Sequence, residues 1–426
     1  MAALSPARRR LGLGFAVAAT MLLMVAASAP SPFYPLFAER LGLPPVATTL
    51  VFAVYAFTML AALLTTGSLS DVVGRRPVVA AGALLLAVSL VLFWQAGGLP
   101  MLLVARGLQG IAAGLLLPAF SAMVVDFAAP RHPDSASLWN TVGAMMGLGT
   151  GAISAANVLD RAANPAGVVF GSLAAVFVLI AAAVWVVPGG GAGGSAGVRG
   201  SGGVRGSFGA RGSSGARGSF GARLTIPRLR VPNYLRRPLL VAVPAIIAGW
   251  ATNGLFLALG SAVVKQEFGA LTYAQSTVAI PIFAASGILA SVVLHRRSAR
   301  LVSVYGTAAL GIGTALSLFA LSFDSLGGYL AAAAVTGTGF GTAFMGVLKT
   351  LMPRVDPGER AAVMAVIYVV SYLAFGVPTI VAGLLVPVLS LRGTMQLLGL
   401  VIVVLGAVAT VQRLRSDRSP ALSDAG

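Results

Sequence analysis

The residue whose setting most demands a chemical explanation is Arg106, the one charge inside the apolar run Leu103-Val104-Ala105-Arg106-Gly107-Leu108-Gln109-Gly110. Burying a guanidinium away from water costs from about 3 to more than 10 kcal/mol, so carbonyls, side-chain amides or a bound molecule must supply acceptors. A second constellation is Gly67-Ser68-Leu69-Ser70-Asp71-Val72-Val73-Gly74-Arg75-Arg76-Pro77 between two apolar runs. Here Gly67 permits close helix approach, Asp71 can cap a helix end and Gly74 permits a tight turn, while Arg75 and Arg76 stay in the polar boundary layer. Asp126 ends the run that begins near Arg106, and it either pairs with Arg75 or Arg76 or stands as a solvated carboxylate. Residues able to contact a small cargo are Tyr34, Tyr55, Asn140, Asn253, Tyr368 and Tyr372, polar or aromatic groups inside apolar runs. Packing explains each of them equally well, and Tyr34 also suits an aromatic boundary belt. Asn140 and Asn253 stand out because an amide in such a run needs a partner.

Other chemistries are disfavoured. The chain has no cysteine and two histidines, His132 and His295, both in predicted loops, so no metal site is expected. No Asp or Glu falls inside a predicted apolar run. No Gly-x-x-x-x-Gly-Lys-[Ser/Thr] loop is present to hold a nucleotide. No cofactor and no enzymatic activity are therefore expected.

The elements that must carry these residues follow from solvation. With 58% hydrophobic and 9% charged residues, against about 25% charged in soluble domains, the solvent is lipid. Runs of about 20 apolar residues match a bilayer core and, with no water to satisfy the backbone, must be helical. The predicted spans are 11-38, 46-67, 78-97, 99-123, 136-159, 166-188, 238-263, 272-294, 301-322, 326-348, 361-387 and 391-411. The fold class is thus an all-α membrane protein of twelve transmembrane helices in two six-helix bundles. The expected divisions are an N-terminal half at 1-188, a linker at 189-237, a C-terminal half at 238-411 and a tail at 412-426.

Of the 29 Lys and Arg, 24 fall on the side of the N-terminus and four (Arg40, Arg161, Lys265 and Arg392) on the other. By the positive-inside rule both termini are cytoplasmic in an inner (plasma) membrane protein. The linker carries arginine at 199, 205, 211, 217 and 223 among Gly, Ser and Ala, a composition that reads as a disordered tether or as an attraction for anionic lipid. The formal charge of +18 lies in this topology, and no nucleic-acid partner is expected. Arg8, Arg9 and Arg10 before an apolar stretch ending Ala27-Ser28-Ala29 imitate a cleavable signal. The stretch continues through Pro30-Ser31-Pro32-Phe33-Tyr34, and its removal would leave an odd number of spans.

The 67–77 segment resembles the loop signature of the major facilitator superfamily, Gly-x-Leu-[Ala/Ser]-Asp-[Arg/Lys]-x-Gly-[Arg/Lys]-[Arg/Lys], departing at Val72 where a basic residue is usual. The Arg106-x-x-Gln109-Gly110 segment resembles the family's Arg-x-x-Gln-Gly signature. Residues Gly143-Ala144-Met145-Met146-Gly147-Leu148-Gly149-Thr150-Gly151 keep the small-residue face of the exporters' Gly-x-x-x-Gly-Pro-x-x-Gly-Gly but lack its proline. The resemblance implies a loop that latches the outward-facing state, a role for Arg106 in proton transfer or substrate binding, and coupling of Asp126 to the loop. It also implies kinship with bacterial drug and metabolite efflux permeases. The expected function is export of a small, largely apolar or weakly polar molecule by a monomer using alternating access. Protons are a candidate coupling ion that the missing mid-membrane carboxylate argues against. The alternatives are an uptake permease or uniporter for a nutrient such as a sugar or metabolite, and a non-transporting membrane sensor.

Overall fold

The protein is described from a computed structural model covering residues 5–66, 73–128, 134–187, 231–356 and 359–415. Helix α1 spans Pro6–Ser28, with Pro6 in its first turn and Ser5 accepting from the Arg8 amide. Pro30 and Pro32 end it in a 3₁₀ turn, Ser31–Phe33, because neither proline can donate a helical hydrogen bond. Next come α2 (Tyr34–Leu41), α3 (Pro45–Thr66), α4 (Arg75–Trp94), α5 (Leu99–Phe127) and α6 (Asp134–Arg161). A π turn at Gly167–Gly171 leads into α7 (Ser172–Ala183). The second set comprises α8 (Asn233–Glu267), α9 (Tyr273–Thr277), α10 (Ala279–Leu294), α11 (Ala299–Ser322), α12 (Leu326–Leu351) and α13 (Arg360–Arg415).

Among the described residues ten helices are long and apolar enough to cross a bilayer, and Gly167–Ala183 is a shorter apolar helix. The last of the ten contains a break at Ser390, whose φ of 63° interrupts the helical backbone. The break lies between the expected spans 361-387 and 391-411, so α13 holds two helices joined at Ser390, and the count of twelve is met only approximately. Helix α8 begins at Asn233, five residues inside the segment read as linker. Pro238 did not start it, because a proline this near a helix end removes one bond close to water and leaves the first turn intact. The arginine repeat of 199–223 lies outside the described residues.

Two sides of the bundle are identifiable from contacts. On one, Arg9 donates to the carbonyls of Phe127 and Ala128, Arg76 donates to that of Val187 at 2.7 Å, and Lys349 donates to those of His295 and Arg297. These cations thus sit on helix C-terminal ends, where the dipole favours them. On the far side Arg392 joins Glu267, at 2.8 Å, and Asp324.

Lipid tails give helices no hydrophobic reason to associate, so close packing must hold them, and small residues make it possible. A Cβ added at Gly114 would lie 2.9 Å from the Met59 carbonyl oxygen, which shows how closely α5 meets α3. Gly151 brings α6 to within 2.6 Å of Val25 on α1 by the same measure. Outward faces carry exposed apolar rows, Leu84, Val88 and Val91 on α4 and Ile312, Leu316 and Phe319 on α11. In water such rows would drive aggregation; facing lipid they are ordinary surface.

The N-terminal set (α1–α7) and the C-terminal set (α8–α13) meet along a seam formed by α3 against α13 and α6 against α10. Gly383 faces Val46, Gly376 faces Phe57 and Gly149 faces Pro281 and Ala284. Leu257, Ile280, Tyr372 and Phe375 of the second set belong to the same buried cluster as the core of the first.

Candidate functional site

Arg106 on α5 is 1% exposed and finds its acceptors at the broken end of α1. It donates to the Ala27 carbonyl at 3.2 Å and to Gln109 Oε1, while Gln109 Nε2 donates to the Ala26 carbonyl at 2.8 Å. The availability of Ala26 follows from sequence: Pro30 stands where a residue would otherwise return an N–H four positions back, and it has none to give. The proline break in α1 and the polar pair in α5 are therefore complementary parts of one junction.

Three rings complete it. The guanidinium carbon lies 4.6 Å from the Tyr55 centroid, 5.4 Å from Phe52 and 6.0 Å from Tyr34. A desolvated cation–π contact contributes about 2 kcal/mol and a charge-assisted hydrogen bond about 1.5–3. Together these reach the lower half of the burial cost quoted for a membrane arginine. Gly110 makes the cage possible. A Cβ there would stand 2.5 Å from the Tyr55 carbonyl oxygen, so any larger residue would push α3 and its rings away from Arg106.

The cage continues across the seam through rings. Phe52 lies 5.0 Å from Phe375, Phe375 6.1 Å from Trp250, and Trp250 5.3 Å from Tyr372, which is 6.4 Å from Tyr368. Buried polar atoms with no hydrogen-bond partner among the described residues include Tyr34 Oη and Arg106 Nε in the cage, Trp250 Nε1 in the ring chain and, on α6, α8 and α13, Asn140 Oδ1, Asn253 Oδ1 and Ser371 Oγ. A small crevice lies elsewhere, inside the C-terminal set between Thr252, Phe256, Ser317, Tyr329 and Met395. It shares no residue with the cage, and the hydroxyls of Thr252 and Ser317 are bonded back to their own helices, so the seam carries the functional argument.

The sequence-predicted residues thus separate into groups. Arg106, Gln109, Gly110, Tyr34 and Tyr55 converge, and Tyr368 and Tyr372 stand at the opposite end of the ring chain. Asn253 is buried on α8 and Asn140 half-buried on α6, with no hydrogen bond between them among the described residues. Arg75 forms an ion pair with Asp126, joining the start of α4 to the end of α5, and Gly74 takes the left-handed φ of 97° that a side chain would resist. Gly67 and Asp71 lie outside the described residues. Sequence reasoning missed Phe52, Phe375 and the carbonyls of Ala26 and Ala27. The pair of prolines after Ala29 was the available signal for the carbonyls; the phenylalanines carried none that distinguishes them from other core rings.

Among solved structures, the chain is similar to a bacterial homolog of the human lysosomal transporter Spinster, solved inward-facing. The unoccupied form has a TM-score of 0.73 at 13% identity, and the occupied form has 0.69 at 13%; each comparison covers 98% of this chain and 100% of that one. A point mutant of the nucleoside transporter NupG has a TM-score of 0.66 at 14% identity over 95% of this chain and 98% of that one. At such identities the likeness is one of fold. No curated protein matches the sequence. The sequence profile of the Major Facilitator Superfamily matches residues 16–378, most of the chain and all of the Arg106 junction, and the chain belongs to that superfamily.

Proposed function

We propose that this protein is a secondary transporter that exports a small, largely apolar or weakly polar molecule by alternating access, with both termini in the cytoplasm of a bacterial-type inner membrane and the monomer as the working unit. The observation that carries the reading is the chain of rings from Tyr55 and Phe52 through Phe375 to Trp250 and Tyr372, which crosses the seam between the two sets and holds one buried cation. Rings offer broad, weakly directional contact, suited to an apolar cargo. The unpartnered Tyr34 Oη and Trp250 Nε1 among them offer orienting hydrogen bonds. Residues 1-188 and 238-411 act as the two rocking halves, 189-237 as the tether, and the Arg75–Asp126 pair couples the loop at 67–77 to α5.

Protons are the proposed coupling ion, carried by Asp71, Asp126 or Glu39 at span ends. A second reading is movement down the cargo's own gradient. The location of all eleven acidic residues outside the middle of the predicted spans favours it, since a proton relay within the membrane ordinarily uses a buried carboxylate.

The test is flux in proteoliposomes of known orientation. A thermal-shift screen against drugs, sugars and metabolites first finds a stabilising compound, and its labelled form is then followed with and without an imposed pH gradient. Outward movement of a lipophilic compound that accelerates with an inward proton gradient is expected. Exclusive uptake of a sugar or nucleoside would overturn the export reading, and flux indifferent to the pH gradient would overturn the coupling.

A further inference from the structure

Asp160, the penultimate residue of α6, has no place in the machinery described so far. It is exposed on the far side, yet both its oxygens are engaged by the other set: Oδ1 accepts from the Tyr273 amide and Oδ2 from the Ala274 amide, each at 2.8 Å. Those two amides open α9, which continues into α10 to form one apolar helix, Tyr273–Leu294.

A helix start leaves its first N–H groups without internal partners. Here the helix's own capping box covers part of the set: Thr272 Oγ1 accepts from the Gln275 amide at 3.1 Å, and Gln275 Oε1 accepts from the amides of Thr272 and Leu271 at 3.4 and 3.0 Å. Tyr273 and Ala274 are the two left over, and both are taken by a carboxylate from the opposite set. The helix dipole favours a negative charge at this position. Along the same pair of helices, Gly149 meets Pro281 and Ala284, a contact of small groups about three turns from Asp160. Thus α6 and α10 touch closely within the membrane and are bonded at the far end.

We propose that Asp160 is a gating residue: its carboxylate, by capping the N-terminus of α9–α10 in trans, holds the far-side ends of α6 and α10 together, and it must let go each time the transporter opens to that side. The proposal rests on the alternating-access reading above. Opening α6 from α10 strips the cap from Tyr273 and Ala274 and returns both amides to water. The bond therefore weights the closed state without blocking the open one. Because both partners are at the water boundary, the weighting is modest, about tenfold in the open-to-closed ratio, or about 1.4 kcal/mol.

The chain has no cysteine, so spin labels can be placed on the full-length protein through Arg40→Cys and Phe323→Cys, at the far-side ends of the two sets, and the distance distribution measured in nanodiscs. Asp160→Ala is expected to raise the ratio of long to short distances about tenfold. Asp160→Asn, which keeps the shape but loses the charge and one acceptor, should shift it the same way by less, and it serves if the alanine variant fails to insert. Thr272→Ala removes a cap from the same helix end within one set, so it should lower thermal stability and leave the ratio alone. An unchanged ratio in both Asp160 variants, or an equal shift from Thr272→Ala, would overturn the gating role and leave transport by two states intact. A single distance in every variant would overturn that two-state reading and the gate together.

Discussion

Replacing Arg106 by alanine separates a transport role from a structural one, because the opposing energies at this site partly offset each other in stability. The substitution deletes two charge-assisted bonds, to the Ala27 carbonyl and to Gln109 Oε1, at about 1.5–3 kcal/mol each. It also deletes the attraction of three rings, about 2 kcal/mol. Against this it removes a cation from the membrane interior, a relief of about 3 kcal/mol on the insertion scale and more on others. The net loss is about 2–5 kcal/mol, enough to lower the midpoint of thermal unfolding by several degrees and too little to prevent insertion. Flux of the labelled cargo in proteoliposomes should nevertheless fall to background, because the cation that, among the described residues, faces the ring chain is gone. Arg106→Lys keeps the charge but has no planar fork to reach Ala27 and Gln109 at once, so it should recover less than a tenth of the flux. Both measurements are made on one preparation, the midpoint by a thermal scan and the flux by filtration. Wild-type flux in a well-inserted Arg106→Ala would refute the reasoning; so would full flux in Arg106→Lys, which would leave the charge and not the fork as the requirement.

Gly110→Ala should lower the unfolding midpoint by about 1–3 kcal/mol equivalent and abolish flux, because its Cβ would meet the Tyr55 carbonyl at 2.5 Å. Gly107→Ala, whose nearest contact would be 3.7 Å away, should be silent in both assays. For the Arg75–Asp126 pair, which is partly exposed and contributes about 1 kcal/mol or less to stability, Asp126→Asn should leave the midpoint in place and slow turnover more than it weakens cargo binding. The exchange Arg75→Asp with Asp126→Arg should restore turnover, and a turnover unaffected by the single change would remove the pair from the cycle. Deleting residues 191–222 should leave insertion and flux unchanged; lost flux with normal insertion would show the arginine repeat to be more than a tether.

Much of this was legible in the residues, for identifiable reasons. A lone arginine among leucines and alanines has to be enclosed and satisfied, so Arg106 announces an interior junction, and the glycines at 147 and 151 announce close helix contacts. What enclosed the arginine was less legible. Tyr34 and Tyr55 were candidates only as polar rings within apolar runs, and they meet Arg106 because Gly110 lets α3 approach and Pro30 turns the chain after α1. Phe52 and Phe375 could not be told from the other phenylalanines, since a ring at the seam and a ring in a bundle core satisfy the same composition. Helix ends were less evenly legible: the break at Ser390 falls in the gap between the expected spans 361-387 and 391-411, whereas α8 starts at Asn233, five residues ahead of the expected 238. Asp160 carried no signal in the sequence, because its value depends on where a helix more than a hundred residues later begins.

The distribution of contact types along the seam bears on how such a protein changes state. Within the membrane the two sets meet through Gly149, Gly376, Gly383, Phe52 and Phe375, groups with no hydrogen bond to lose when they slide or part. Their attraction is dispersion, spread over many atoms and small for each, so a rocking motion exchanges one set of contacts for another at little net cost. A polar contact in that layer would behave differently, because breaking it without water strands a donor or acceptor at several kcal/mol. Arg106 obeys this division: its hydrogen bonds all run to α1 and to its own helix, within one set, so they survive the motion. Asp160 obeys it from the other direction, since its cross-set bonds lie at the boundary where water can replace them.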